Sequence, residues 1–234
     1  MYVLTLTIGD HMDIITIATQ KGGAGKTTLA TNLAVASAKA GKTTLVIDAD
    51  AQKTAIEWFQ KREDQSNPLV MEAADQKTLF RILELAKEKG VDRVLIDTQG
   101  ADMPLVNDAI SCADFCIMAC GSGGFDIAMQ RTTAAVVKRL DKNAAFIITK
   151  APSRGQEAKE TRAILSGLGF SSPEYQTTYL KVYRDAAICG LSVLEYEPSG
   201  KAAKEITALY KWLENKLTIS PLLADLKEGV AENV

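Results

Sequence analysis

This 234-residue chain has a single histidine, His11, placed ahead of the first strand pattern. That scarcity argues against a histidine base and against a metal held by several imidazoles, and leaves oxygen as the expected metal ligand. Its four cysteines, Cys112, Cys116, Cys120 and Cys189, form no CxxC pair. Without a secretory signal they are expected to be buried thiols in a reducing cytoplasm. No apolar run approaches the roughly 20 residues of a membrane span; the run closing at Ala119 is far shorter. A strong excess of either charge is missing too: 27 Lys and Arg against 29 Asp and Glu leave a net charge of −2. Attraction to nucleic acid would need a local patch. With 47% apolar and 24% charged residues, the chain is long enough to bury a core without disulfide or metal staples.

Short β-branched runs alternate with longer helical patterns. Strands are expected at Ile14 to Ala18, Thr43 to Ile47, Pro68 to Met71, Arg93 to Ile96, Phe115 to Ala119, Ala145 to Thr149 and Gln176 to Thr178. Helices are expected at Lys26 to Ala40, Thr54 to Arg62, Lys77 to Lys89, Asp126 to Leu140, Glu157 to Leu168, Val182 to Ile188 and Ser199 to Leu217. Near-continuous apolar strands joined through helices imply an α/β doubly wound, mostly parallel sheet with helices on both faces. One domain is expected over residues 12–217, preceded by a leader or added extension at 1–11 and followed by a loosely ordered acidic tail at 218–234.

Between the first strand and first helix lies Lys21-Gly22-Gly23-Ala24-Gly25-Lys26-Thr27-Thr28. Glycines let successive N–H groups converge on a phosphate at a helix N-terminus. In such a loop Lys26 reaches the terminal phosphates and the Thr27 hydroxyl binds Mg²⁺. Asp48 and Asp50 close the second strand and Asp97 another. Ligands of open α/β sheets sit at the carboxyl ends of the strands, so these carboxylates converge on the loop; each could also serve as a helix N-cap.

Gln20 stands where the usual first loop glycine is expected, and Lys21 is an additional lysine. The segment resembles the deviant Walker A motif, KGGxGK[ST], of the ParA/MinD family of P-loop ATPases, and the likeness extends over Asp13 to Leu217. The resemblance implies a P-loop NTPase fold of the deviant Walker A type, ATP and Mg²⁺ as cofactors, and a homodimer formed around ATP, with Lys21 reaching the partner's phosphates. It assigns catalysis to Asp50, Lys21 and Lys26, and the phosphate cradle to Lys21, Gly22, Gly23, Ala24, Gly25, Lys26, Thr27 and Thr28. It assigns metal binding to Thr27, Asp50 and Asp97, and support of Asp50 to Asp48. Ala51 replaces a usual proline, Thr98-Gln99-Gly100 replaces a Thr-Pro switch, and the loop at Gly121 to Ile127, aligned with a proline-containing loop of the dimer face, is expected to be more mobile than usual.

The short length suggests partition-type members lacking an N-terminal DNA-binding domain. These bind DNA non-specifically as ATP dimers, associate with the nucleoid and answer to a small centromere-binding or adaptor protein. Lys181, Arg184, Lys201 and Lys204 are the expected DNA contacts, although acids dilute that patch. The acidic tail interrupted by Pro221 does not fit membrane attachment. Cargo-positioning and conjugation-associated relatives, or a P-loop metabolic enzyme without DNA binding, are the alternatives.

Overall fold

The computed structural model describes residues 11–100 and 104–231. Seven strands form one sheet in the order β3-β2-β4-β1-β5-β6-β7, with neighbouring strands parallel. The strands are β1 (Asp13–Ala18), β2 (Thr44–Ala49), β3 (Leu69–Glu72), β4 (Arg93–Thr98), β5 (Phe115–Gly121), β6 (Ala144–Ala151) and β7 (Gln176–Thr178). The helices are α1 (Lys26–Lys39), α2 (Thr54–Gln60), α3 (Gln76–Glu88), α4 (Pro104–Cys112), α5 (Gly124–Arg139), α6 (Glu157–Ser166), α7 (Lys181–Ile188), α8 (Val193–Tyr196) and α9 (Lys201–Ala231).

Period-two alternation divides the strand residues between two apolar layers. Ile15, Ile17, Val46, Leu95, Ile117 and Ile147 pack against Leu29 and Leu33 of α1, Trp58 of α2 and Leu209 and Leu213 of α9. On the opposite face Met118, Phe146 and Ile148 meet α4, α5 and α6, while Ile47, Val94 and Ile96 meet Leu79, Ile82 and Leu83 of α3. With both faces covered, β2 and β4 are buried along their whole length, as a parallel sheet requires. The sheet is therefore doubly wound as expected.

Several local expectations are corrected. α4 is added between β4 and β5. The segment after Gly123 is not loop, because α5 already starts at Gly124. A short helix not among the expected elements, α8, is fastened by a capping box in which Ser192 and Glu195 bond each other's backbone N–H groups. The last helix passes Leu217 and Pro221 and continues to Ala231, so residues 218–231 are helical; proline costs that helix one i−4 hydrogen bond. Only Cys116 and Cys120 are buried; Cys112 is half-buried and Cys189 exposed, since it caps α7 at the surface. The leader, apart from His11, lies outside the described residues. Among the described residues no helix is long and apolar enough to cross a membrane.

Candidate nucleotide site

The glycine loop joins the carboxyl end of β1 to α1 at the centre of the sheet. Gly23 (φ 76°) and Gly25 (φ 81°) adopt left-handed backbone, which Gly reaches without the steric cost of a Cβ. The two turns fold the chain back over the N-terminus of α1. From the end of β6 the Thr149 hydroxyl donates to the Ala24 carbonyl at 2.7 Å, holding that carbonyl on the outside of the loop. Gly100 backs the loop from β4: a Cβ there would sit 2.7 Å from the Gly22 nitrogen and 2.8 Å from the Lys21 oxygen. No side chain fits at position 100 unless the Lys21–Gly22 peptide moves.

Lys26 is only 6% exposed, and its ammonium donates to the Lys21 carbonyl at 3.4 Å. The side chain thus folds back over the loop. Burial lowers its pKa, and the carboxylates of Asp97 and Asp50 partly offset this.

Asp97 is fully buried, and neither carboxylate oxygen accepts a hydrogen bond of ordinary geometry. Burial pushes its carboxyl up to about 7, against the pull of the Thr27 hydroxyl and the Lys26 ammonium. An unsatisfied buried carboxylate is costly. Its neighbours are those a hydrated divalent cation would share: the Thr27 hydroxyl and Asp50.

Asp48, paired in register with Asp97 across β2 and β4, is also fully buried but well satisfied. Its Oδ2 accepts from the N–H groups of Ala55 (2.9 Å) and Ile56 (3.0 Å), and Oδ1 accepts from Asp50 N–H at 3.1 Å. It anchors the first turn of α2 and bonds the backbone N–H of Asp50. Burial raises its pKa despite these bonds. Asp50 itself lies half-buried on the following turn, where its Oδ1 accepts from Gln52 N–H at 2.9 Å. All the expected phosphate and metal residues therefore meet at one sheet end. Among the described residues no group of three His, Cys, Asp or Glu gathers to hold an ion unaided. A metal here would share its shell with a phosphate and water.

Beside the loop, a cleft of about 320 Å³ runs between Gly25, Thr28, Lys150, Tyr179 and Tyr183. Arg184, expected on a DNA face, borders this cleft as well as extending into solvent. Lys181 and Arg184 both lie within salt-bridge distance of Asp185, at 3.1 and 3.7 Å, and Lys201 lies 3.9 Å from Glu205. Tyr183 joins α7 to α9 by donating to Glu205 at 3.1 Å. The four expected DNA contacts thus share one neighbourhood, with Lys201 and Lys204 on the first turns of α9.

Sequence reasoning missed the braces around this site. Asn32 of α1 accepts from Val193 N–H at 2.9 Å, Trp58 of α2 donates to the Leu191 carbonyl at 3.2 Å, and Arg62 forms a bidentate pair with Glu195 at 2.7 and 3.0 Å. These bonds tie α1 and the α2 region next to Asp50 to α8 and the turn that leads into it. Each joins residues more than 130 positions apart, and nothing local in the sequence signals them.

A family model described as the CobQ/CobB/MinD/ParA nucleotide binding domain matches residues 15–173. The "Maintenance of carboxysome distribution protein A" of Gloeobacter kilaueensis is 30% identical, over 87% of this chain and 93% of its own. The "Chromosome-partitioning ATPase Soj" of Thermus thermophilus is 31% identical, but over 43% of this chain and 51% of its own. The solved structure of a Cyanothece McdA variant in complex with ATP superposes with a TM-score of 0.73 at 16% identity, covering 90% of this chain and 98% of that one.

Proposed function

The chain belongs to the CobQ/CobB/MinD/ParA nucleotide-binding family, and on that premise we propose that it is an ATPase that dimerises around ATP, binds DNA without sequence preference and positions a cargo through an adaptor protein. The observation that carries the reading is the meeting of Lys21, Lys26, Thr27, Asp50 and the unsatisfied Asp97 around one glycine loop. Two lysines on a single phosphate loop suit a nucleotide shared between two copies, whose polyanions need a cation from each side.

The loop N–H groups and Lys26 hold the triphosphate, and the adjoining cleft takes the nucleoside. Thr27 and Asp97, with Asp50 beside them, fit Mg²⁺, which when bound neutralises developing charge on the phosphates. Asp50, its backbone fixed by Asp48, orients the attacking water. Because that work is done in the transition state, Asp50 contributes to turnover more than to affinity.

Cargo positioning takes precedence over plasmid or chromosome partition for one reason. The relative named for carboxysome distribution matches along nearly all of this chain, whereas the relative named for chromosome partitioning matches under half of it. Partition is the second reading, kept by the cations of α7 and α9.

The test is a titration of two unrelated DNA duplexes with and without ATP at two salt concentrations, alongside light scattering with a slowly hydrolysed ATP analogue. ATP should produce a dimer that binds both duplexes alike and loses them steeply with salt. Lys21→Ala should bind nucleotide and remain monomeric. An ATP dimer that ignores DNA at low salt would leave a nucleotide-driven switch without a nucleoid track. A full dimer of the Lys21 variant would remove the shared-phosphate contact.

A further inference from the structure

One lysine outside every motif reaches the phosphate loop. β6 and β7 pair Ile148 with Gln176 and Ala151 with Thr178, so the register slips between them. Lys150 lies in that bulge with left-handed backbone, φ 52°. Bulges re-aim side chains, and a non-glycine residue in left-handed backbone needs surroundings that hold it there. Two contacts do so: the Lys150 N–H donates to the Thr177 hydroxyl at 3.3 Å, and its ammonium donates to the Gly23 carbonyl at 2.6 Å. The preceding residue, Thr149, holds the next loop carbonyl, that of Ala24, at 2.7 Å. Lys150 also borders the cleft beside Gly25 and Thr28.

We propose that Lys150 is a positioning residue for the bound nucleotide: its ammonium pins the Gly23 carbonyl outward so that the loop's N–H groups face the phosphates, and its methylene stem walls the nucleoside cleft. The inference rests on the nucleotide reading and extends it to a residue that the loop sequence does not contain. A carbonyl drawn to one side of a peptide forces the neighbouring N–H groups to the other, which is the arrangement an anion-binding loop needs. The stem offers an apolar surface of four carbons while the charge sits at the loop.

The two roles separate by substitution. Lys150→Met keeps the stem and loses the ammonium, Lys150→Ala loses both, and Lys150→Arg restores a donor. Affinities for ATP and for inorganic tripolyphosphate are measured by competition against a fluorescent ATP analogue, with apo thermal unfolding recorded in parallel. The Met variant should lose about tenfold for both ligands, as expected for one charge-assisted hydrogen bond, with the ratio between them unchanged. The Ala variant should lose ATP further and so lower the ATP-to-tripolyphosphate ratio, and Arg should recover most of the loss. A purely structural role would lower apo unfolding temperature without moving that ratio. If Lys150→Ala does not fold, the Met and Arg pair still decides the pin. A Met variant that binds both ligands like the wild type overturns the proposal while leaving the nucleotide reading intact; a wild type that binds neither ligand nor analogue removes both.

Discussion

β4 carries a buried charge at each end, and the two ends are built differently. At its start Arg93, 1% exposed, donates to Asp13 at 2.6 Å, to Glu214 and to Ser37 at 3.4 Å, and lies over the ring of Tyr210. At its end Asp97 is equally buried and accepts no hydrogen bond of ordinary geometry. Arg93 joins β1, β4 and α9 at the closed end of the sheet. Asp97 stands at the carboxyl end, where ligands of such sheets bind. The Arg93 charge finds two carboxylates within the fold, although its Nε is left without a partner, whereas a charge that serves a ligand leaves its desolvation cost uncompensated until the ligand arrives.

The contrast can be broken at either end, and the largest effect is expected at the loop. Lys26→Ala should abolish ATP binding in calorimetry while leaving the apo unfolding temperature unchanged or slightly raised, because a buried ammonium in the apo fold contributes more cost than packing. At the closed end Arg93→Met should do the reverse. Leaving Asp13 and Glu214, whose side chains are 16% and 31% exposed and still face Lys42, beside an apolar side chain should cost less than a fully buried broken pair, about 3–5 kcal/mol, read by urea unfolding. ATP affinity of the remaining folded protein should be unchanged, since the two sites lie at opposite sheet ends.

Asp97 gives the comparison a sign in pH. Its carboxyl is raised from 3.8 to about 7 by burial. Below pH 3.8 it is protonated in both folded and unfolded chains. As pH rises toward 7 the unfolded chain releases this proton while the folded one keeps it, so stability falls across that window, by a few kcal/mol in all. Asp97→Asn removes this contribution. In the presence of a chelator, the variant should therefore gain stability over the wild type as pH rises from 5 to 8, and it should lose the Mg²⁺ dependence of ATP binding. An unchanged difference between pH 5 and 8 would mean that Asp97 titrates normally and that its burial carries no cost.

What the sequence made legible follows the range of the forces involved. The glycine loop, the strand-end aspartates and the alternation of elements are local patterns, and the fold places them together as expected. Asp48 illustrates the limit: its position at a strand end was readable, but its two bonds to the start of α2 depend on how the next turn folds. Lys150 shows the same limit more sharply, because a bulge between β6 and β7 turns an ordinary strand lysine toward a loop 127 residues away. The cysteines were misjudged for a related reason. Cys189 follows a helical apolar run but falls at the exposed C-cap of α7. The Arg93 cluster was invisible altogether, since Asp13, Arg93 and Glu214 become neighbours only when β1, β4 and α9 pack.

The smallest expected effect lies on the rim of that same cluster and sharpens what holds it. Lys42 approaches Asp13 at 3.5 Å and Glu214 at 3.9 Å, with its side chain about a third exposed at 31%. It therefore faces the same two carboxylates as Arg93 from the solvent side. Water and salt screen such a partner, and holding a long lysine in place costs side-chain entropy, so exposed pairs of this kind contribute about 0–1 kcal/mol. Lys42→Ala should cost less than about 1 kcal/mol in urea unfolding at low salt, and the loss should shrink further in high salt. The loss in Arg93→Met should be larger and shrink less in the same salt, because the Arg93 side chain that holds both carboxylates is only 1% exposed. Equal losses in the two variants would show that net charge near Asp13 and Glu214, rather than the buried guanidinium bridging both carboxylates, keeps the closed end of the sheet together.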